Sequence, residues 1–346
     1  MYSTVAITAL VLSLASNSVV GSPIEVQRRA TCTDETKSIR KAWEDLTSEE
    51  KLAYINADLC LMAAPPSAGV PGATSRWDEL QYSHAAQSDY IHGVGAFLPF
   101  HRYFVTVHEM LIRSECGYTG PLPYWNEPSD VNALNQSVIF DTEFGFGGDG
   151  EYPDGCITDG PFVNLTLHFQ EDLSTSDYCL SRSMNDRSFS GAAQSNVDTC
   201  LAKTTFIDAW NCLEGNPHSA GHGGVAGVMV NTKLSPGDPV FYLHHGYLDK
   251  LFWDWQSLDL DTRLTEIGGS NTAGGGGQGG GSPPGGGSGP GGSVTTTSTL
   301  DFVDYFNDGG NTTTLNHTLW SAGIIANATI GEVMDIGGDL VCAEFA

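Results

Sequence analysis

The hydrophobic and polar positions divide this chain into one apolar run at the N-terminus, a few segments with helix-start signals, and long stretches of small and polar residues. A helix start is marked by a capping side chain followed by acidic residues or by proline. These residues satisfy or avoid the free N–H groups of the first turn. On these signals four helices are predicted: one after Thr47 toward Cys60, within the helix-forming residues 37–58, one from Pro99 to about Glu115, one from Asn216-Pro217, and one from Asp238-Pro239 through Gln256.

The segments between the predicted helices are rich in residues that favour turns. Residues 126–200 are rich in Gly, Asp, Ser and Asn, which indicates long loops with short elements. Residues 268–293 are almost entirely Gly, Ser and Pro, which predicts a disordered insertion or flexible linker because too few apolar side chains are present to fold. The tail, residues 294–346, becomes apolar and is expected to pack back on the main domain, residues 30–267, tied by Cys342.

The N-terminal apolar run, Val5 to Leu14, is too short to cross a bilayer and is followed by small residues. This pattern predicts a secretory signal peptide over residues 1–21. The dibasic pair Arg28-Arg29 then indicates a propeptide over residues 22–29, so the mature chain is expected to begin near Ala30. Five glycosylation sequons support a secreted, extracellular glycoprotein: Asn135, Asn164, Asn311, Asn316 and Asn327.

Composition narrows the classes of partner and of metal site. The formal net charge of -26 argues against nucleic acid or an anionic membrane as a partner, because both would be repelled. Eight cysteines in an oxidising compartment predict disulfides, although the sequence leaves their pairing open. No CxxC pair occurs, and no cysteine adjoins a histidine in the histidine-rich segments, so a thiolate metal site is not expected.

Eight of the ten histidines fall in two short segments, residues 84–108 and 218–245. His218 and His222 are four residues apart, so a helix places both rings on one face. Neutral imidazole is the commonest metal ligand, and sites made only of nitrogen donors favour copper, with zinc as the main competitor. Two sets of three ligands are predicted: His84, His92 and His101 in the first segment, and His218, His222 and His245 in the second.

Two segments carry a resemblance to a known family. The segment HGVGAFLPFHRY, from His92 to Tyr103, resembles the copper A signature of tyrosinases, catechol oxidases and molluscan hemocyanins. The segment DPVFYLHHGYLD, from Asp238 to Asp249, resembles the copper B signature. The resemblance is closest to short secreted fungal members of the family. It implies a mainly α fold in which a central four-helix bundle holds a binuclear metal site, with long loops and few short strands.

The resemblance also implies the cofactor and the role of each histidine. Two copper ions would form a binuclear type 3 site, copper A on His84, His92 and His101, and copper B on the second set of three. His244 is expected to lie outside the ligand set, because neighbouring helix residues point about 100° apart. His108 replaces the Phe usual in the family. We expect it to support a ligand or line the pocket, since it lies near the face of His101.

Further departures from the family pattern concern the surroundings of the metals. Asn126 and Glu127 stand where the family has Asp-Trp, and that Asp normally orients a copper ligand, so altered support of the ligands is expected. Tyr90 stands where many fungal members carry a cysteine that is cross-linked to the second copper A ligand. No thioether is therefore expected.

Two residues are candidates for a catalytic role. Glu214 resembles the glutamate that holds a water able to deprotonate a phenol. Ser219 follows the first copper B ligand, where family members with strong monophenol hydroxylation often carry Asn or Asp. Because Ser is shorter, it should hold that water poorly, which shifts the prediction from tyrosinase toward diphenol oxidase.

The main hypothesis is oxidation of o-diphenols or o-aminophenols to quinones, with a small phenolic substrate and dioxygen as partners. A tyrosinase that also hydroxylates monophenols is the first alternative. A non-oxidative metal-dependent enzyme of secondary metabolism, with zinc, is the second. Oxygen transport without turnover is the least favoured, because a single chain without repeats cannot array many sites.

Overall fold

A computed structural model describes residues 31–152, 154–272 and 307–346. The predicted signal peptide and propeptide lie outside the described residues, as does the Gly-rich insertion from residue 273 onward.

Helices account for most of the regular structure in the described residues. The α-helices, in chain order, are α1 (Ser48–Ala63), α2 (Arg76–Ala85), α3 (Ser88–Ile91), α4 (Phe97–Cys116), α5 (Asp186–Phe189), α6 (Gln194–Leu201), α7 (Phe206–Leu213), α8 (Ser219–Val225), α9 (Val240–Ser257), α10 (Leu260–Arg263) and α11 (Ile330–Val333).

The strands are short, as the sequence predicts. They are β1 (Ser38–Ala42), β2 (Leu122–Tyr124), β3 (Gly150–Glu151), β4 (Cys156–Ile157), β5 (Thr166–Phe169), β6 (Thr175–Cys179), β7 (Thr318–Leu319), β8 (Ala328–Thr329) and β9 (Ala343–Phe345). β1 is the middle strand of a sheet with order β2-β1-β9, in which it runs parallel to both neighbours, and the remaining strands form two-stranded antiparallel pairs.

The helix predicted after Thr47 is confirmed as α1. The Thr47 hydroxyl accepts a hydrogen bond from the Glu50 backbone N–H at 3.2 Å, and the Glu50 carboxylate accepts one from the Thr47 N–H at 2.9 Å. The two bonds form the capping box that the sequence indicates. Residues 38–42, which lie before this cap in the segment that contains good helix formers, form β1. Pairing with two strands outweighs their local preference there.

The centre of the fold is made by two long helices that are buried on almost every side. Every residue of α4 from Phe97 to Ile112 is buried, and α9 is buried without interruption from Val240 to Asp249. A helix that is apolar all round lies inside a protein. α4 packs against α1, α9 and α11, and α9 also packs against β2. The mainly α fold with a helical centre and few short strands, which the sequence predicts, is confirmed.

The helix predicted to start at Asn216-Pro217 does not start there. α7 continues instead through a π-helical turn, Glu214–His218, into α8. Proline has no N–H and its ring collides with the carbonyl four residues earlier in an α-helix, so a wider turn accommodates it. By contrast, α9 does begin at the predicted Asp238-Pro239: Pro239 is its N-cap, and the Asp238 carboxylate accepts the N–H of the first helical residue, Val240, at 3.0 Å.

Disulfides connect distant parts of the chain and use every cysteine. The pairs are Cys32–Cys342, Cys60–Cys116, Cys156–Cys179 and Cys200–Cys212. The first bond and the pairing of β9 with β1 hold the C-terminal segment on the main body. Residues 268–272, which the sequence assigns to the insertion, also lie on the body, because the Gly95 N–H donates to the Ser270 carbonyl at 2.8 Å.

Among the described residues, no helix combines the length and the apolar character that crossing a bilayer requires.

Candidate metal centre

The first predicted group of histidines converges from three separate elements. His84 lies near the end of α2, His92 directly after α3, and His101 in the first part of α4. Each ring is fixed by its Nδ1 atom, which lies 3.0, 2.9 and 2.8 Å from the carbonyls of Lys233, Ser88 and Phe97, respectively. Because a carbonyl only accepts, each Nδ1 carries the proton. The lone pair of each ring is therefore on Nε2.

The Nε2 atoms of this group have the surroundings of metal ligands. Those of His84 and His101 are buried and have no hydrogen-bond partner. The ring centroids lie 5.1 to 5.7 Å apart, and one ligand atom from each ring falls within 4.8 Å of the others. Buried polar atoms normally find a partner, so three converging lone pairs fit a bound metal ion.

The second group lies on the π-turn, α8 and α9. The Nδ1 of His218 donates to the Glu214 carbonyl at 3.2 Å and that of His222 to the Met229 carbonyl at 2.6 Å. The Nε2 of His245 lies 3.3 Å from the Nε2 of His222. His244 lies beside this group, and one ring nitrogen from each of the four histidines falls within 4.8 Å of the others.

Burial keeps all six predicted ligands in the neutral form. Desolvation lowers the pKa of His92 to about 4, and it lowers the pKa values of His84, His101, His218, His222 and His245 well below 6.5. Neighbouring imidazoles lower several of these pKa values further. Neutral imidazole is the form that binds metal. The donor set is nitrogen throughout, which fits copper.

A cavity of about 770 Å³ opens at the first group. His92, Gly93, Val230 and Lys233 are among the residues that line it. His92 is the only one of the predicted ligands in its wall. The volume falls in the usual range for small-molecule sites, so a ligand entering here reaches His92 first.

The sequence of this chain is similar to those of known proteins over the region that contains both histidine groups. Residues 74–258 match the family model described as the common central domain of tyrosinase. The chain is 35% identical over 258 residues to tyrosinase-like protein phomQ1 of Diaporthe leptostromiformis, a match over 68% of this chain and 65% of that protein. It is 32% identical over 290 residues to tyrosinase P of Aspergillus terreus, covering 69% of this chain and 81% of that protein.

The chain belongs to the tyrosinase family. A mutant polyphenol oxidase of Thermothelomyces thermophila has the same fold, with a TM-score of 0.75 and 25% identity over 91% of this chain and 90% of that chain. The chain spans 65% of the length of the Diaporthe relative. The family resemblance of the copper A and copper B segments is thus confirmed.

Glu214, the predicted catalytic glutamate, lies beside the first histidine group. Its two carboxylate oxygens accept hydrogen bonds from the Gly93 N–H at 2.7 Å and from the Trp210 indole N–H at 2.6 Å. Burial raises the pKa of Glu214 to about 7, although these two bonds oppose the shift. The carboxyl group therefore changes its protonation state near neutral pH.

Ser219 is exposed and does not reach that carboxylate. Its hydroxyl donates to the backbone carbonyl of Glu214 at 3.0 Å. The serine therefore closes the π-turn, because its backbone N–H also donates to the Asn216 carbonyl.

His108 neither supports a predicted ligand nor lines the cavity, contrary to the expectation from its spacing to His101. Its Nε2 lies 2.8 Å from a carboxylate oxygen of Asp58, and its ring stacks on Tyr242 with centroids 3.9 Å apart. Both members of the pair are fully buried. Seven residues along a helix give the same face but also a rise of about 10 Å, which carries His108 away from the group that contains His101.

The sequence did not reveal the role of Glu127. The Asn126 amide faces outward and donates to the Glu44 carboxylate at 2.9 Å. Glu127 is fully buried, and its Oε1 forms a short hydrogen bond with the Nδ1 of His244. Burial raises the pKa of Glu127 well above its usual value. An acidic residue two positions after Trp125, just after an apolar stretch, is the sequence signal that could have indicated this contact.

Proposed function

We propose that the protein is a copper-dependent oxidase that converts o-diphenols or o-aminophenols to quinones with dioxygen. One observation carries this proposal: two groups of buried or half-buried, neutral imidazoles adjoin each other, with a cavity of about 770 Å³ at the first. His101 and His245, one from each group, stack with ring centroids 4.2 Å apart. Two metal ions held by these groups would be neighbours.

The residues that would hold the ions are His84, His92 and His101 for the first and His218, His222 and His245 for the second. When bound, a copper pair supplies exchange of two electrons, which equals the number that one diphenol gives up on becoming a quinone. Two diphenols release four electrons and four protons, and one dioxygen takes them up to form two waters.

The protein itself supplies fixed ligands, an entrance and a proton acceptor. The Nδ1 bonds to backbone carbonyls hold the rings of the first group in one orientation. The cavity brings a phenol to the side of His92. The Glu214 carboxylate accepts a hydrogen bond from the N–H of Gly93, a residue in the cavity wall. With a pKa of about 7, it can take a proton from an incoming hydroxyl near neutral pH.

The contact of Ser219 supports a preference for diphenols over monophenols. Hydroxylation of a monophenol needs the less acidic hydroxyl of a phenol to be deprotonated first. The Ser219 hydroxyl donates to a backbone carbonyl and so does not help the Glu214 carboxylate hold a water. Tyrosinase activity on monophenols is therefore the second candidate.

We place the protein outside the cell. Four disulfides cross-link the described residues, which suits an oxidising compartment. The five sequon asparagines are all exposed, as glycosylation requires.

The proposal is tested by oxygen consumption and quinone absorbance of the purified protein with catechol, 2-aminophenol and tyrosol side by side. We expect rapid consumption with the first two, slow or none with tyrosol, and about two coppers per chain. Protein stripped of copper and reloaded with zinc is the matched control and should be inactive. Zinc as the metal of the isolated protein, or no oxygen uptake with any of the three compounds, would contradict the proposal.

A further inference from the structure

The first residues of the segment that the sequence assigns to the Gly-rich insertion lie on the body of the protein. We call residues 268–272 the strap. The amide of Asn271 is buried and donates to the Asp308 carboxylate at 2.9 Å, and the Thr313 N–H donates to the Gly269 carbonyl at 2.9 Å. The strap is therefore held in a defined position by the segment of the chain that follows the insertion.

One residue of the strap packs directly on the indole ring of Trp210. A Cβ atom on Gly269 would lie 2.6 Å from a ring carbon of Trp210, so a larger residue does not fit at this position. The φ angle of Gly269 is 90°, which also favours glycine. Trp210 itself is buried and lies on α7. The backbone of the strap thus closes one side of the indole and limits its movement.

The polar edge of the same indole holds the carboxylate of Glu214. The Trp210 Nε1–H donates to Glu214 Oε2 at 2.6 Å, and the Gly93 N–H donates to Glu214 Oε1 at 2.7 Å. Each carboxylate oxygen therefore has its own N–H donor. Because a carboxylate oxygen has two lone pairs, both oxygens can still accept a further hydrogen bond from a phenol or a water.

The strap also contacts the loop that supplies the second donor. This loop connects His92 to α4 and contains Gly93 and Gly95. The Gly95 N–H donates to the Ser270 carbonyl at 2.8 Å, and a Cβ atom on Gly95 would collide with the carbonyl of Gly268. The strap is thus connected to the carboxylate of α7 by two routes, one through the indole and one through this loop.

The position of α7 does not depend on the strap alone. The Glu266 carboxylate accepts the N–H of Phe206, the first residue of α7, at 2.7 Å. The Cys200–Cys212 disulfide ties the same helix to α6. A small change in the strap therefore acts on the indole and the loop, while α7 keeps its place.

We propose that the strap is a positioning segment for the Glu214 carboxylate, acting through the Trp210 indole and the loop that contains Gly93. The inference rests on the proposed function, in which this carboxylate accepts a proton from the phenol. A general base must lie within hydrogen-bond reach of the proton that it takes, and a displacement of about 1 Å can cost about 10²-fold in rate. Two fixed N–H donors give the carboxylate one direction.

The test compares two glycines with similar backbone angles. Gly269→Ala pushes a methyl group into the indole, whereas Gly323, with a φ angle of 80°, would place a Cβ atom 3.9 Å from the Ala68 carbonyl, an ordinary contact. Trp210→Phe is the second variant, because it removes the N–H and keeps an aromatic ring. We expect Gly269→Ala and Trp210→Phe each to lower kcat for catechol by about 10- to 100-fold and to change KM by less than about twofold. Gly323→Ala should keep the wild-type kcat.

A double-mutant cycle separates positioning of Glu214 from general stabilisation of the fold. In a Glu214→Gln background, Gly269→Ala and Trp210→Phe should lower kcat no further, because the group that they displace is already absent. This result supports the inference. Losses that multiply in the double variants, or a wild-type kcat in both single variants, overturn it.

A further readout needs neither copper nor turnover. In protein labelled with ¹⁵N-tryptophan, the indole N–H signal of Trp210 is identified by its absence in Trp210→Phe. Gly269→Ala and Glu214→Gln should each shift this signal and speed its exchange with solvent, whereas Gly323→Ala should not. An unchanged signal in Gly269→Ala overturns the inference. A wild type that oxidises no phenol would overturn the proposed function, while the shifts described would still support the positioning of Glu214 by the strap.

Discussion

The imidazole rings of His101 and His245 stack at a centroid distance of 4.2 Å, with 12° between their planes, although they belong to different histidine groups. α4 carries the first ring and α9 the second, and these two helices pack directly against each other at the centre of the fold. The contact between the two buried helices thus fixes the separation of the two groups. Because each helix is buried along most of its length, neither ring can move without repacking the core.

Replacing His222 with Ala should remove the second metal ion and leave the first. The His222 Nε2 lies 3.3 Å from that of His245, so the substitution takes a donor from the middle of the group. Elemental analysis should fall from about two coppers per chain to about one, while circular dichroism stays close to that of the wild type. His168→Ala is the matched control because this histidine pairs with Asp177 at the surface, and it should keep both ions. Two coppers per chain in His222→Ala would show that this histidine is not a ligand.

The metal-free protein should lose stability as the pH falls from about 6.5 toward 4. Burial lowers the pKa of His92 to about 4 and lowers those of the other predicted ligands well below 6.5. The unfolded chain takes up these protons first, so the free energy of unfolding rises with pH across this window, by about 1.4 kcal/mol per pH unit for each histidine.

Urea unfolding of the metal-free protein at pH 7, 6 and 5 measures this slope. The protein loaded with metal should show a higher free energy of unfolding at each pH, because the ion binds the folded state. A free energy of unfolding that does not change between pH 7 and pH 5 would mean that the histidines are not buried in the neutral form.

The two histidine groups could be predicted from the sequence because their signal is local. His218 and His222 are four residues apart, and His101 follows a proline that suits a first helical turn. The capping box at Thr47 is equally local and is present as predicted. Such features depend on residues within one or two turns, so a single sequence is enough to recognise them.

The features that were missed depend on residues far apart in the chain. His244 lies beside the second group and forms a hydrogen bond with Glu127, 117 positions earlier. His108 meets Asp58 from α1, 50 positions away, and not the metal ligands. The disulfide pairing is of the same kind, since Cys32 and Cys342 meet across almost the whole chain. An even number of cysteines indicates that all of them can form disulfides, but it does not show which ones pair.

Removing residues 273–293 should change catechol turnover by less than about twofold. The neighbouring residues 268–272 are a different case, because Asn271 is buried and donates to the Asp308 carboxylate at 2.9 Å and to the Gly310 carbonyl at 2.8 Å. Asn271→Ala should therefore cost about 1 to 3 kcal/mol in the free energy of unfolding. Thermal melting and catechol oxidation of both variants are compared with the wild type. A large loss of turnover in the deletion alone would show that the removed residues contribute to catalysis.

Replacing Ser219 with Asn should raise the ratio of monophenol to diphenol activity. The serine hydroxyl reaches only the Glu214 backbone carbonyl, at 3.0 Å. The longer amide of Asn can extend past that carbonyl toward the carboxylate of the same residue and help it hold a water near an incoming phenol. General-base assistance is worth about 10²-fold or more, so even a partial gain is measurable.

Initial rates on tyrosol and on its catechol counterpart test this prediction, and Ser219→Ala is the control that separates two effects of the substitution. The alanine variant removes the bond to the Glu214 carbonyl without adding a new donor, so it should leave the ratio of the two rates near that of the wild type. A rise in Ser219→Asn but not in Ser219→Ala identifies the amide as the cause. If both variants raise the ratio equally, loosening of the π-turn explains the change. If neither variant changes it, Ser219 does not control the choice between monophenols and diphenols, and the preference for diphenols loses its main structural support.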